Sequence, residues 1–200
     1  MSTLQTLLKE ADTRKSSTIS AQLLRNCPEA VEYDAAYHYM MELALQPNMI
    51  ISADMIKELH RLLYLNINAG EAGHYRTVSS AADLPYAQPS PDDIPRLMGH
   101  LADQILSSRT TLHPVELAAM AHKRLVDIYP FPHGNHRTAR LLMNLILVNS
   151  GYCAVSIPSD RQKDYGRILT ESRKTNDMEP LSILIAQCVI SPTDSLHSMR

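Results

Sequence analysis

The chain has 200 residues, of which 44% are hydrophobic, and this length and composition can bury one sizeable core. Its 19 basic and 21 acidic residues give a formal net charge of -2, so no whole-molecule field favours nucleic acid. The first ten residues lack a basic region followed by an apolar block, and no apolar run reaches the roughly 18 residues of a membrane span. We therefore expect one cytoplasmic domain over 1–200 that binds neither nucleic acid nor membrane.

The cysteine usage also favours a reducing compartment. Cys27, Cys153 and Cys188 are odd in number and lack CxxC spacing. This pattern indicates buried thiols rather than a disulfide framework, and we assign no reaction to any of them.

In chain order, the first clear feature is a break in the helical pattern between Tyr75 and Gln88. Two serines and Pro85 interrupt any helix there, whereas the short Thr77–Val78 stretch could pair as a strand. Ser90 to Asp93 then combine a cap residue, a proline and two acids, which predicts a helix to about Leu106.

Four further helices are predicted downstream. His113 to Glu116 open one that runs to about Ile128. Residues 141–148 are apolar nearly all round, which is typical of a helix surrounded by others, and Asn149 to Gly151 end it. Ser159, with Gln162 three residues later, predicts a capping box for a helix to about Lys174, and Pro180 begins a last helix.

Between the first and second of these helices lies the segment 129–140, which reads YPFPHGNHRTAR. Its junction at 134–135 leads from loop to helix, where free backbone N–H groups and the helix dipole favour a bound anion. Arg137 and Arg140 both project from the start of that helix and can fork around phosphate oxygens. The alternative is that the two arginines form a solvated pair or bind a core carboxylate such as Asp127.

The same segment resembles the active-site loop of the Fic family, whose pattern runs H-P-F-x-D/E-G-N-G-R-x-x-R. The matching residues are Pro130, Phe131, Gly134, Asn135, Arg137 and Arg140. The similarity covers about residues 51–185 and includes Gly73 to Arg76, which resemble the family's G-x-Y/W-R. It implies an all-α bundle around a central motif helix, a small β-hairpin flap at 75–88, and an N-terminal helical extension over 1–50.

The resemblance also implies a ligand and a partner. Asn135 and Arg137 would hold the α- and β-phosphates of a nucleotide, Arg140 the γ-phosphate, and Gly134 would give the cradle its shape. The flap would hold a segment of a target protein beside the site. We therefore expect a nucleotide or another phosphate-bearing or anionic ligand.

Three residues depart from the family pattern. Tyr129 replaces the general-base histidine, and a phenol, with a pKa of about 10, is a far poorer base than an imidazole of about 6.5. His133 replaces the carboxylate that anchors magnesium, a cation that prefers oxygen ligands. His136 replaces a glycine and narrows the cradle, although Doc toxins of this fold tolerate a lysine there. Standard magnesium-dependent AMP transfer is therefore not expected.

The replacements themselves, His133, Tyr129 and His136, are the candidate catalytic residues, with proton transfer assigned to His133 or Tyr129. His133 and His136 could also suggest a soft-metal site, but a third converging ligand is not evident, and we predict no metal site. The other histidines singled out are interpreted as ordinary helix or loop residues: His60, His74, His100 and His122.

Many Fic proteins carry an inhibitory helix with the pattern S/T-x-x-x-E-G/N, whose glutamate pairs with the second motif arginine. Ser16 to Ala21 lie at the place of such a helix, with Ser20 and Ala21 replacing the acid and the small residue. The absence of the inhibitory glutamate and the absence of the general-base histidine fit one explanation, the loss of AMP transfer. The alternative is that a stretch rich in Ser and Thr matches a loose pattern by chance.

Three functions follow from these observations. The first is a divergent Fic-fold enzyme that acts on a phosphate-bearing or other anionic ligand. The second is an inactive pseudoenzyme that binds a nucleotide or a protein partner. The third is a protein adenylyltransferase that uses an unorthodox base.

Overall fold

The computed structural model of the chain describes residues 2–15, 34–79 and 86–191. Within these ranges there are eight α-helices, two short 3-10 helices (Pro91–Asp93 and Ser159–Arg161) and no strand, which confirms the all-α prediction. The α-helices are α1 (Thr3–Asp12), α2 (Asp34–Ala44), α3 (Ala53–Tyr64), α4 (Ile94–Ser108), α5 (Pro114–Ile128), α6 (Asn135–Asn149), α7 (Gln162–Thr175) and α8 (Glu179–Ile190). None of the helices described is long and apolar enough to cross a membrane.

Helix α5 begins where its sequence predicts. The Nδ1 atom of His113 accepts a hydrogen bond from the backbone of Val115 (3.2 Å), and Glu116 accepts one from the backbone of His113 (3.1 Å). These bonds satisfy two N–H groups that the first turn leaves without helical partners. The helix ends at Tyr129, which adopts left-handed backbone angles and opens the motif loop.

Helix α6 is the central element of the bundle. It packs against α2, α3 and α5, and its leucines Leu142, Leu145 and Leu147 are fully buried. Asn144 is buried among them, and its amide bonds both backbone groups of Val155 (3.0 and 2.8 Å). The polar groups are thereby satisfied, and the segment after α6 is fixed against the core.

The N-terminal helix is tied to the far end of this core. The Oδ1 atom of Asp12 accepts hydrogen bonds from Tyr152 (2.6 Å), Lys15 (2.9 Å) and His113 (3.1 Å). His113 and Tyr129 lie at opposite ends of α5, about 24 Å apart at the usual helical rise. The Asp12 cluster is therefore remote from the motif loop.

Two local predictions are not met. The capping box at Ser159 is wrong: a 3-10 helix precedes α7, and the side chain of Gln162 donates instead to the carbonyl of Ile157 (3.0 Å). The hairpin at 75–88 is not shown, because Thr77 and Val78 form no strand in the described part of that region. Residues 80–85 lie outside the described ranges.

Two of the three cysteines can be placed. Cys188 is buried and Cys153 is half-buried, both are free thiols, and burial raises the pKa of each. Cys27 lies outside the described ranges.

Candidate active site

The motif loop is held in shape by the first residue of α6. The amide of Asn135 donates to the carbonyl of Phe131 (2.8 Å) and accepts from its backbone N–H (2.9 Å). Asn135 and Phe131 are both buried. The side chain assigned to phosphate by resemblance is therefore engaged with the loop, and Asn135 would contribute its backbone N–H to an anion.

A buried histidine supports the same loop from α3. The ring of His60 stacks parallel on Phe131, with ring centroids 3.8 Å apart. Its Nδ1 accepts from the backbone N–H of Gly73 (2.9 Å), so the protonated Nε2 donates to the carbonyl of His133 (3.2 Å). Burial lowers the pKa of His60 to about 4, which keeps the ring neutral.

Sequence reasoning missed this role of His60. The partners of the ring lie 13 and 73 residues away, and no local pattern joins them. The available signal was its position on the apolar face of α3, in register with Ile56, Leu59 and Leu63. A histidine on such a face requires buried polar partners.

Gly134 is required by both backbone angle and space. Its φ is +74°, which a side chain rarely adopts. A Cβ at this position would lie 2.3 Å from Cε2 of Tyr64. The last residue of α3 therefore packs directly against the backbone of the cradle.

Arg76 joins the flap region to the start of the loop. Its buried guanidinium donates to the carbonyls of Tyr129 (2.8 Å), Val78 (3.1 Å) and Pro89 (2.8 Å). Its backbone N–H also bonds the carbonyl of Pro130 (2.9 Å). One side chain thus closes the base of the segment 78–89 and supports Tyr129, whose φ is +50°.

Tyr86 continues this arrangement on the next segment. Its hydroxyl donates to the carbonyl of Val126 (3.0 Å). The guanidinium of Arg173 lies over its ring, 3.9 Å from the ring centroid. Arg173 in turn forms an ion pair with Asp127 (2.7 Å), which also pairs with Lys123. The carboxylate of Asp127 is therefore neutralised by cations from α5 and α7.

His136 belongs to a chain of three side chains. The hydroxyl of Tyr165 lies 3.1 Å from Nδ1 of His136 and 3.1 Å from Nε2 of the fully buried His122. Burial lowers the pKa of His122 to about 3, with His136 and Arg140 adding to the effect. Burial, Arg140 and Arg173 lower the pKa of His136 as well. Two neutral imidazoles therefore lie in positively charged surroundings.

The three candidate catalytic residues do not all converge. The rings of Tyr129 and His136 are 6.3 Å apart and nearly perpendicular, so these two face each other. His133 is exposed, and its imidazole makes no hydrogen bond to any residue that the structure describes. Only the backbone carbonyl of His133 is used, as the acceptor for His60.

The anion-binding candidates occupy the start of α6. Arg137 and Arg140 are half-buried in its first two turns, next to Gly134 and Asn135. Arg140 lies close enough to His122 and His136 to influence both pKa values. The junction thus combines free helical N–H groups with two guanidinium groups.

Two further predictions concern metal binding and the inhibitory residues. In the ranges 2–15, 34–79 and 86–191, no three His, Cys, Asp or Glu side chains form a group suited to a metal ion. Ser20 and Ala21, at the place of the inhibitory residues, lie outside the described ranges.

Comparison with known proteins identifies the family of the chain. The family model "Fic/DOC family" matches residues 50–147. The chain is 34% identical over 168 residues to a protein adenylyltransferase Fic of Nematostella vectensis. The matched region covers 84% of this chain and 39% of that protein. The chain therefore spans about two fifths of the length of that curated relative.

Solved structures show the same fold. A Fic domain containing signaling protein from Bacteroides thetaiotaomicron has a TM-score of 0.75 at 21% identity, with 94% of each chain covered. Fic-1 from C. elegans has a TM-score of 0.77 at 25% identity, covering 94% of this chain and 69% of that one. The chain belongs to the Fic/DOC family.

Proposed function

We propose that the chain is a divergent Fic-fold enzyme that acts on a phosphate-bearing or other anionic ligand bound at the start of α6. The observation that carries this proposal is the geometry of the loop that ends in Gly134 and Asn135. The left-handed glycine and the asparagine amide shape the loop around the helical N–H groups. Arg137 and Arg140 add positive charge in the next turns.

The altered residues argue that the reaction differs from magnesium-dependent AMP transfer. Such a transfer needs a base that is neutral near pH 7 and an oxygen ligand for magnesium. Tyr129, at the position of the family's base, is a phenol and therefore a poor base, and His133, at the position of the magnesium ligand, offers no oxygen. The imidazole of His136 is already hydrogen-bonded to Tyr165. Tyr129 faces His136, whereas His133 is exposed, and this favours Tyr129 over His133 for proton transfer.

A protein target along the segment 75–88 is part of the same proposal. Arg76 fixes both ends of this segment, and Val78 is 70% exposed at its start. A hairpin flap anchored in this way would hold an extended target segment through backbone hydrogen bonds. A cytoplasmic location fits a target protein of that compartment.

Two alternatives have observations of their own. A pseudoenzyme that binds a nucleotide or partner without turnover is favoured by His133, whose imidazole no described side chain orients. Protein adenylyltransfer through an unorthodox base is favoured by the 34% identity to a protein adenylyltransferase Fic. Both alternatives use the same anion cradle and differ only in chemistry.

Two measurements test the proposal. Native mass spectrometry of the purified chain with a panel of nucleotides and phosphate esters should find a retained anionic ligand. Incubation with labelled ATP and magnesium should give no AMP transfer to the chain or to added proteins. AMP transfer by the unaltered chain would establish the third function instead.

A matched set of variants then separates enzyme from pseudoenzyme. With the identified ligand, Tyr129→Phe should lower turnover strongly, whereas His133→Ala should lower it less. The reverse order would reassign proton transfer to His133. If neither variant changes the fate of a ligand that binds tightly, the chain is a pseudoenzyme.

A further inference from the structure

The hydrogen-bond chain of His122, Tyr165 and His136 constrains where the protons lie. The phenol of Tyr165 has one proton, so it can donate to one imidazole while it accepts from the other. When that proton is directed at one of the two rings and both imidazoles are neutral, two arrangements satisfy both contacts. In one, Tyr165 donates to His136; in the other, it donates to His122.

The buried end of the chain distinguishes these arrangements. His122 is fully buried, and no residue in the described ranges offers its Nδ1 a hydrogen-bond partner. If Tyr165 donated to His122, the proton of that ring would lie on Nδ1 as a buried donor without an acceptor. Such donors are rarer in proteins than unsatisfied acceptors.

The favoured arrangement therefore runs outward from the core. His122 donates from Nε2 to Tyr165, and Tyr165 donates to Nδ1 of His136. The proton of neutral His136 then lies on Nε2, the ring nitrogen that Tyr165 does not use. The charged groups near this ring, Arg140 and Arg173, oppose a second proton.

We propose that Tyr165 and His122 fix His136 as the Nε2–H tautomer, so that residue 136 is a neutral hydrogen-bond donor to an oxygen of the bound anion. Its role in ligand binding rests on the proposed function. His136 is the second residue of α6, in the first turn, whose backbone N–H groups have no acceptor within the helix. In this arrangement the ring stabilises negative charge on the ligand and does not accept a proton from it.

The tautomer is tested without any ligand. In protein labelled with ¹⁵N-histidine, above neutral pH, the two ring nitrogens give widely separated NMR signals according to protonation. His136→Gln identifies the His136 signals by their loss. We expect the proton on Nε2; a proton on Nδ1, or an even mixture, would overturn the proposal.

Two hydroxyl deletions test the positioning role. Tyr165→Phe should convert His136 to a mixture of tautomers. Tyr152→Phe, which removes a hydroxyl from the remote Asp12 cluster, should leave the His136 signals unchanged. An unaltered tautomer in Tyr165→Phe would exclude Tyr165 as the positioning residue.

Pyrophosphate is the probe for the donor role. His136→Ala should weaken pyrophosphate binding on the order of tenfold, as expected for loss of a hydrogen bond to a charged group. His136→Gln, whose amide keeps an N–H near the place of Nε2, should recover most of the affinity. Equal affinities for wild type and His136→Ala would overturn the donor role and leave the proposed function standing. A wild type that binds neither pyrophosphate nor any nucleotide would overturn the proposed function and the donor role, while the tautomer result would stand separately.

Discussion

Arg76 donates a hydrogen bond from Nε to the backbone carbonyl of Tyr129 over 2.8 Å, which links positions 53 residues apart. The residue it supports has a φ of +50°, a conformation that costs a side-chain-bearing residue about 1–2 kcal/mol. Such conformations persist only where surrounding contacts determine them. The bond from Arg76 is one such contact, and the bond from the Tyr129 backbone N–H to Leu125 (2.9 Å) is another.

Arg76→Lys should destabilise the fold although it keeps the charge. The planar guanidinium donates to three carbonyls, and a lysine ammonium cannot reach all three. The carbonyls that it does not reach would remain buried without a donor. We expect a loss of about 2 kcal/mol or more in the free energy of unfolding, measured with urea. Arg96→Lys is the matched control, since Arg96 is exposed and forms an ion pair with Asp93. Equal stability of the two variants would contradict the role of Arg76.

Two glycine substitutions should act in opposite directions. Gly134→Ala places a Cβ against Tyr64 at a φ of +74°, and we expect it to destabilise the protein by more than about 2 kcal/mol. Gly99→Ala lies in α4 with no heavy atom within 4 Å of the new Cβ. It should stabilise by about 0.4–1 kcal/mol, because alanine loses less backbone entropy. Urea unfolding of both variants tests the pair, and a neutral Gly134→Ala would mean that the loop shifts freely.

Removing Arg137 should weaken anion binding. A charge-assisted hydrogen bond commonly contributes about 1.5–3 kcal/mol, so Arg137→Ala should reduce affinity for pyrophosphate at least about tenfold by calorimetry. Arg167→Ala, at a position 69% exposed on α7, removes an equal charge and is the control. Equal losses in both variants would indicate a general charge effect instead of a site at α6.

His60 should make the fold sensitive to mild acid. Burial is the main cause that lowers its pKa from 6.5 to about 4, opposed by its hydrogen bond to His133 and aided by His74. Because the folded pKa is depressed, the contribution of His60 to stability is complete above pH 6.5 and is lost between pH 6.5 and pH 4. The stability difference between wild type and His60→Phe should shrink by about 2 kcal/mol from pH 7 to pH 5. A difference independent of pH would show that another group controls this range.

Asp12 should also make the stability of the fold depend on pH, but at lower pH and more weakly than His60 does. Burial would raise its pKa, but hydrogen bonds from Tyr152, Lys15 and His113 outweigh that effect and lower it to about 2. Its contribution is therefore complete above about pH 4 and disappears as the pH falls toward 2. The side chain is 44% exposed, so we expect only about 1 kcal/mol between wild type and Asp12→Asn. Unfolding at pH 5 and at pH 2.5 measures it, and the difference should be smaller at the lower pH.

The sequence predicted features that depend on neighbouring residues. The start of α5 is an example, because the groups that cap it are His113, Val115 and Glu116. The same reasoning failed at Ser159, because the side chain of Gln162 donates to the carbonyl of Ile157 and does not accept from the backbone N–H of Ser159. A polar side chain can bond any of several nearby backbone groups, and spacing alone does not say which one it bonds.

The arrangement of the site depended on distant contacts that no spacing reveals. His136 lies 29 residues from Tyr165, and Tyr165 lies 43 residues from His122. Family resemblance assigned Gly134, Asn135 and the two arginines to the ligand, but it gave no indication that the Asn135 amide binds the backbone of Phe131. It also gave no indication that His133 would be exposed while His136 became part of a buried network.

The contacts that hold the motif loop are largely separate from the side chains that distinguish its chemistry. The Asn135 amide, the His60 ring and the Arg76 guanidinium all bind backbone groups of the loop, whatever side chains those residues carry. Evolution can therefore exchange a reactive group here without rebuilding the support beneath it. In a random library, folded clones should be common when positions 129, 133 and 136 vary and rare when positions 60, 76 and 135 do.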